Sequence, residues 1–262
     1  MADSAEGNTT VFALACHPDD IEFMMGGTLF LLKEAGCSLH YMNLANGCCG
    51  STQTGREETA RIRRAEGQRA AQMVGALFHE SLVDDLEVFY TPELIKKVTA
   101  VVRQIRPDIM LLPSPEDYME DHMTTCRIGV TAAFCRCIPN HPTDPPVEAT
   151  YQDIVLYHAL PYGLRDGLRR KILPDFLVNI SSVIDDKERM LACHESQKLW
   201  LDQTQGLDSY LKTMREMSAE VAAMAADAAI PAAGEYAEGW RRHSHLGFSA
   251  VDRDPLQEIL RP

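Results

Sequence analysis

The 262-residue chain is 45% hydrophobic and 24% charged, with 25 basic against 38 acidic side chains and a formal charge of −13, so it has the apolar content to bury a large core. That acidity argues against nucleic-acid and anionic-membrane binding, both of which need a basic surface. No run approaches the roughly 20 apolar residues of a membrane span, and the polar, acidic Met1–Glu6 segment is unlike a secretory signal, so a soluble cytoplasmic protein without membrane insertion is expected.

Val11–Ala15 is a short apolar run that ends at Cys16-His17-Pro18-Asp19-Asp20, and helical periodicity takes over from Ile21 to Lys33 before Gly36. Leu39–Leu44 reads as a second strand, followed by a loop rich in Gly, Ser, Thr and Asn and then a charged helix from about Glu57 to Val74, closed by Gly75. Leu77–Leu82 is a weaker strand. Pro92 opens a helix to Ile105, which Pro107 ends. Asp108–Leu112 is the clearest buried strand, and it feeds a polar loop, Pro113–Asp121, and a helix from about His122 to Ile138. This alternation predicts an α/β fold: a mostly parallel sheet with helices on both faces, whose ligands bind beyond the carboxyl ends of the strands.

Four prolines between Pro139 and Pro146 mark a surface loop. Strands are expected at Asp153–Tyr157 and Phe176–Ile180, then a helix carrying Lys187–Leu201, capped by Ser182 or Asp185, and a second over Ser209–Ala226. Met214, Met217 and Met224 form a helix stripe that packs inward or against another subunit, which points to a homo-oligomer. The expected organisation is one domain over 1–262, with a core at about 9–180 and a helical C-terminal extension at about 181–262.

Eight cysteines in a chain of this kind read as reduced thiols rather than a disulfide framework. Cys48 and Cys49 are adjacent, which is not the spaced pair of a structural zinc knuckle.

Two loops at the carboxyl edge carry chemistry. In the first, His17, Asp19 and Asp20 follow the opening strand; of two adjacent carboxylates, one suits metal binding and the other proton transfer. In the second, Glu116-Asp117-Tyr118-Met119-Glu120-Asp121-His122 puts four acids and a histidine after the strongest strand. His122 completes a set of two histidines and one carboxylate with His17 and Asp20, leaving positions open for water and substrate, as catalytic rather than structural zinc requires.

His17-Pro18-Asp19-Asp20, the Arg63-Arg64-Ala65-Glu66 helix leading to Ala70-Ala71, and Asp121-His122 together resemble the zinc-dependent de-N-acetylases related to N-acetylglucosaminyl-phosphatidylinositol deacetylase, the PIG-L or LmbE-like family. His194-Glu195-Ser196-Gln197 and Tyr236-Ala237-Glu238-Gly239-Trp240 are weaker features of the same resemblance. It implies a Rossmann-like three-layer sandwich, metal ligands His17, Asp20 and His122, and Asp19 as the general base. The family usually has a histidine three residues before its ligand histidine, to stabilise the oxyanion; Met119 stands there and can donate no hydrogen bond. His158, at a predicted strand end, is the candidate replacement donor or acid. Asp121, which would orient that histidine, is expected to pair with Arg63 or to support the metal ligands. Arg63, by resemblance, and Tyr210 are candidate substrate contacts alongside Met119. His243 and His245 read as a basic surface patch with Arg241 and Arg242.

The function so implied is hydrolysis of an N-acyl group, most simply acetyl, on an amino sugar or small glycoconjugate. Zn2+ is the expected cofactor, although Fe2+, Co2+ and Ni2+ suit the same donors. The alternative is a metal- and carbohydrate-binding module with little turnover because of Met119. A nucleotide-binding reading fails on the acids that stand where a Gly-rich turn would be.

Overall fold

The computed structural model describes residues 8–197 and 210–261. Its first strand, β1 (Thr10–Ala15), is buried on both faces, and helix α1 (Asp20–Glu34) returns the chain to β2 (Ser38–Asn43), parallel to β1. Helix α2 (Arg56–Met73), β3 (Leu77–His79), α3 (Pro92–Ile105), β4 (Ile109–Leu112), α4 (Glu120–Cys135) and β5 (Val155–Ala159) continue the alternation. Their ends are set by local chemistry. Thr91 caps α3 by accepting the Leu94 N–H at 3.3 Å with Pro92 in the first turn, and Gly36 and Gly75 follow α1 and α2 in the left-handed region at φ 81° and 68°.

After β5 come β6 (Phe176–Asn179), α5 (Ile184–Leu191), α6 (Tyr210–Ala228), β7 (Ala237–Arg242) and α7 (Pro255–Leu260). All the strands join one seven-stranded sheet in the order β3-β2-β1-β4-β5-β7-β6, parallel from β3 to β5, with β7 antiparallel to both its neighbours. Side chains alternate across it. Val11, Ala13, Ala15, Tyr157 and Ala159 pack beneath α1, α5 and α6, while Phe12, Leu14, Leu112 and Leu156 pack against α3 and α4. The result is the expected α/β sandwich, in which the chain reverses direction across the sheet between β1 and β4. The carboxyl ends of those two strands bound the crevice where such sheets hold ligands.

The second half departs from expectation. It is not a purely helical extension, because β7 inserts between β5 and β6. Its sequence, Ala-Glu-Gly-Trp-Arg-Arg, lacks an apolar run, yet Glu238 is buried. Its carboxylate is matched by Lys187 Nζ at 2.8 Å and accepts the Gly27 and Thr28 N–H groups of α1 at 2.8 and 2.7 Å; a charge so satisfied can sit inside a sheet. The helix expected over Lys187–Leu201 breaks after Leu191, and its positions 198–201 lie outside the described residues, as does Ser209 at the head of the next helix. Met214, Met217 and Met224 are buried within the chain itself.

Candidate active site

Backbone geometry at the exit of β1 aims two adjacent carboxylates differently. Asp19 precedes α1 without capping it; at φ 111°, ψ −22° it occupies a region costly for a non-glycine residue, and its side chain is turned away from the helix N-terminus. Asp19 Oδ2 instead accepts the Tyr210 hydroxyl at 2.6 Å, and Oδ1 lies 3.3 Å from Arg63 Nη2. Asp20 starts the helix, and its Oδ2 accepts the His17 N–H at 2.7 Å.

Helix α4 starts at the exit of β4 and carries His122 in its first turn, opposite His17. His17 Nδ1 and His122 Nε2 are 3.3 Å apart, and Asp20 Oδ2 lies 3.7 Å from the first and 3.4 Å from the second. Ligands about 2.0–2.2 Å from a tetrahedral zinc stand about 3.3–3.6 Å from one another. The three donor atoms therefore have the spacing and chemistry of a facial set for a divalent cation.

Each histidine is held from behind by a carboxylate. Asp121 Oδ2 lies 3.3 Å from His17 Nε2 and also accepts the Leu86 N–H at 2.8 Å. Asp117 Oδ2 lies 3.1 Å from His122 Nδ1, while its Oδ1 accepts the Met119 N–H at 2.9 Å. Such pairs fix the tautomer and ring orientation that leave the opposite nitrogen free for a cation. Asp121 thus pairs with His17 and not with Arg63. Asp117 is the residue that the sequence analysis did not single out, since four acids in one loop carry no signal of which one turns inward.

Electrostatics follow from burial and neighbours. Burial opposes ionisation of Asp20, but His122 and His17 hold its carboxyl well below the usual range. Burial likewise opposes charging of His122, and Asp20 and Asp117 outweigh it, raising its pKa. At Asp19 burial dominates over Arg63 and raises the carboxyl's pKa. Tyr210 is pushed far up by burial and by Asp19, so it stays a donor to that carboxylate.

A cavity of about 370 Å³ opens over this cluster, lined among others by Phe23, Leu86, Tyr118, Met119 and Tyr162. Arg63 and Tyr210 reach it from α2 and α6, so the candidate substrate contacts are brought together with the donor set. Arg63 is buried, donates to the Pro18 carbonyl and fills the space beside the β2–α2 loop, where a Cβ on Gly50 would stand 2.5 Å from its Nη1. The Tyr118 ring meets His122 edge-on at 6.1 Å between centroids.

His158 is the correction. Alternation along β5 turns Ala159 toward the cavity and His158 to the opposite face, where Nδ1 lies 3.0 Å from the Pro113 carbonyl oxygen and Nε2 lies 2.9 Å from His243 Nδ1. Burial lowers its pKa to about 4, so it is a neutral core histidine and no oxyanion donor. His243 accordingly turns to His158 rather than into a surface patch. The His194–Gln197 segment is mainly scaffold: buried His194 Nε2 lies 3.1 Å from Glu22 Oε1, Ser196 donates twice to Glu66, and Gln197 reaches the cavity.

Residues 12–133 match the PIG-L family model, described as GlcNAc-PI de-N-acetylase. That match spans just under half of the chain. The diacetylchitobiose deacetylase of Thermococcus kodakarensis is 29% identical over 217 residues, covering 78% of this chain and 75% of that protein. A 4-oxalmesaconate hydratase of Pseudomonas putida is 24% identical over 200 residues, 73% of this chain and 75% of that one. The solved 4-carboxy-2-hydroxymuconate hydratase of Pseudomonas putida KT2440 superposes with a TM-score of 0.74 at 19% identity, over 94% of this chain and 99% of that one. Both carboxyl-edge loops of the site lie within the span matched by the PIG-L family model, whereas Tyr210 comes from beyond it.

Proposed function

We propose that the protein is a metal-dependent N-deacetylase acting on an acetylated amino sugar or a small glycoconjugate of one. The observation that carries this reading is the triangle of His17, Asp20 and His122 donor atoms with a desolvated, non-ligating carboxylate, Asp19, beside it. The match to the PIG-L family model and the similarity to a diacetylchitobiose deacetylase support it.

A divalent cation held by those three side chains supplies Lewis acidity, which lowers the pKa of water and polarises the amide carbonyl. Asp19 takes the proton of the attacking water and returns it to the leaving nitrogen. Tyr210 and Arg63 keep its two oxygens in place through the cycle, and Asp117 and Asp121 keep the histidines in the tautomers that face inward. The cavity's aromatic and aliphatic lining excludes water around the amide and strengthens these interactions.

The test is amine release from a panel of N-acetylated amino sugars, with elemental analysis, for the native chain and Asp19→Ala. Retained metal in both with release only by the native chain is the expected result; absence of bound metal from the native chain overturns the reading.

Met119 favours one second reading. With a thioether where a hydrogen-bond donor would face the oxyanion, the same centre suits addition of water to an unsaturated acid, the chemistry named for the hydratase relative. Met119→His separates the two: it raises amine release, by up to about a hundredfold to a thousandfold, if the chain is a deacetylase, and leaves hydration of an unsaturated tricarboxylate without gain.

A further inference from the structure

The vicinal cysteines belong to a turn, residues 47–50, closed by a Gly50 N–H to Gly47 carbonyl bond of 3.1 Å and entered by Gly47 at φ 77°. Successive side chains of an extended segment point to opposite faces. Here the turn folds Cys48 and Cys49 toward each other instead, and their Sγ atoms stand 3.9 Å apart as free thiols. Two sulfurs each about 2.3 Å from a tetrahedral zinc lie about 3.8 Å apart, so the pair already has the separation that a soft cation imposes.

Asp85 supplies a third donor. Its carboxylate is buried and held by two backbone groups of the turn, the Gly47 N–H at 2.7 Å and the Cys49 N–H at 2.9 Å. One of its oxygens and both sulfurs all lie within 4.8 Å of one another. Cys48 is fixed by its N–H to Asn46 Oδ1 at 3.1 Å, whereas Cys49 reaches solvent, and Cys49 and Asp85 both line the cavity that holds the His17 cluster. Arg56 approaches from outside, with Nη1 3.4 Å from Cys49 Sγ and Nη2 2.7 Å from Asp84.

We propose that Cys48, Cys49 and Asp85 form a second cation site, for a thiophilic divalent metal such as zinc, on the wall of the same cavity. Three protein donors leave an open position, so this is an exchangeable site and not a structural one. It does not depend on the deacetylase reading, because it uses none of the residues placed in that chemistry.

The test loads the metal-free full chain with Co2+ and reads elemental content together with the sulfur-to-cobalt charge-transfer band. The expected result is about two cobalt ions per chain with the band present, falling to about one with the band lost in Cys49→Ser, whereas His122→Ala keeps the band. A band that survives Cys49→Ser, or a native chain that binds one ion without any band, overturns the proposal. Phenylarsine oxide on the native chain gives a second measurement. Its As=O bond breaks, two As–S bonds form, and the oxygen leaves as water with both thiol protons, without any change of oxidation state. An adduct mapped to residues 48–49 supports the site, and an adduct mapped elsewhere refutes it.

Discussion

Asp117→Asn is the most informative single change, because it alters one atom type and tests how His122 is presented. The native carboxylate accepts at both oxygens, from Met119 N–H at 2.9 Å and, across 3.1 Å, from His122 Nδ1. An amide cannot do both. If its oxygen stays on Met119, its NH2 group faces His122 Nδ1, which must then accept, and the proton moves to Nε2, the nitrogen that faces His17 and Asp20. If the amide turns over, two N–H donors confront each other at Met119. Asp117 is only 3% exposed at its side chain, so solvent does little to relieve either conflict. Loss of a partner of this kind typically costs about 10- to 100-fold in metal affinity, or about 1.4–2.7 kcal/mol. The asparagine variant is expected to bind at least as weakly as Asp117→Ala, in which water can replace the carboxylate. A chelator-competition titration with zinc in the Cys49→Ser background measures this, with exposed Asp227→Asn as the control. Affinity within twofold of the native value for Asp117→Asn would refute the reasoning about the tautomer.

Three further outcomes are expected. Asp19→Asn keeps its metal by elemental analysis but loses about 10²- to 10⁴-fold in turnover, the usual contribution of a general base. Tyr210→Phe leaves the ring packed against Phe23 but removes the hydroxyl on Asp19; turnover falls about tenfold or more, as for a hydrogen bond to a charged group, and the thermal midpoint falls by several degrees. Acid sensitivity of the fold comes from His79 and His158, both held near pKa about 4, His79 by burial and the neighbouring His40 and His158 chiefly by burial. Their unfolded values are about 6.5, so between these limits the unfolded chain binds more protons at these two positions; their contribution to stability is full above about pH 6.5 and is lost as pH falls toward 4. Tm measured from pH 8 down to 4.5 should decline over that window, less steeply in His79→Asn; a flat profile would contradict it.

The parallel core was legible because buried strands such as Ile109–Leu112 are uninterrupted apolar runs flanked by helix-period segments. Strand β7 was not, since its glutamate and arginines are satisfied by distant partners that a sequence does not reveal. Likewise His17, Asp20 and His122 could be grouped because two loops fell on one predicted sheet edge, whereas Asp117's inward turn depends on the hydrogen bond of its other oxygen to Met119. The reading of His158 failed on something the sequence does contain: period-two alternation puts His158 and Ala159 on opposite faces, and only the pairing of β5 in the sheet says which face is the cavity's. Tyr210 shows a further limit, because its role is set by a contact 191 positions away along the chain.

The insertion of β7 has a consequence for biosynthesis. Every atom of the His17, Asp20 and His122 cluster has been synthesised by the time α4 emerges, but the sheet that carries it stays open at β5 until a much later segment slots in between β5 and β6. Until then β5 presents unpaired backbone groups, and Lys187 lacks the carboxylate that neutralises it within the core. A nascent chain halted before residue 237 therefore carries the whole cluster on an unfinished scaffold, exposed to aggregation and dependent on protection while translation continues.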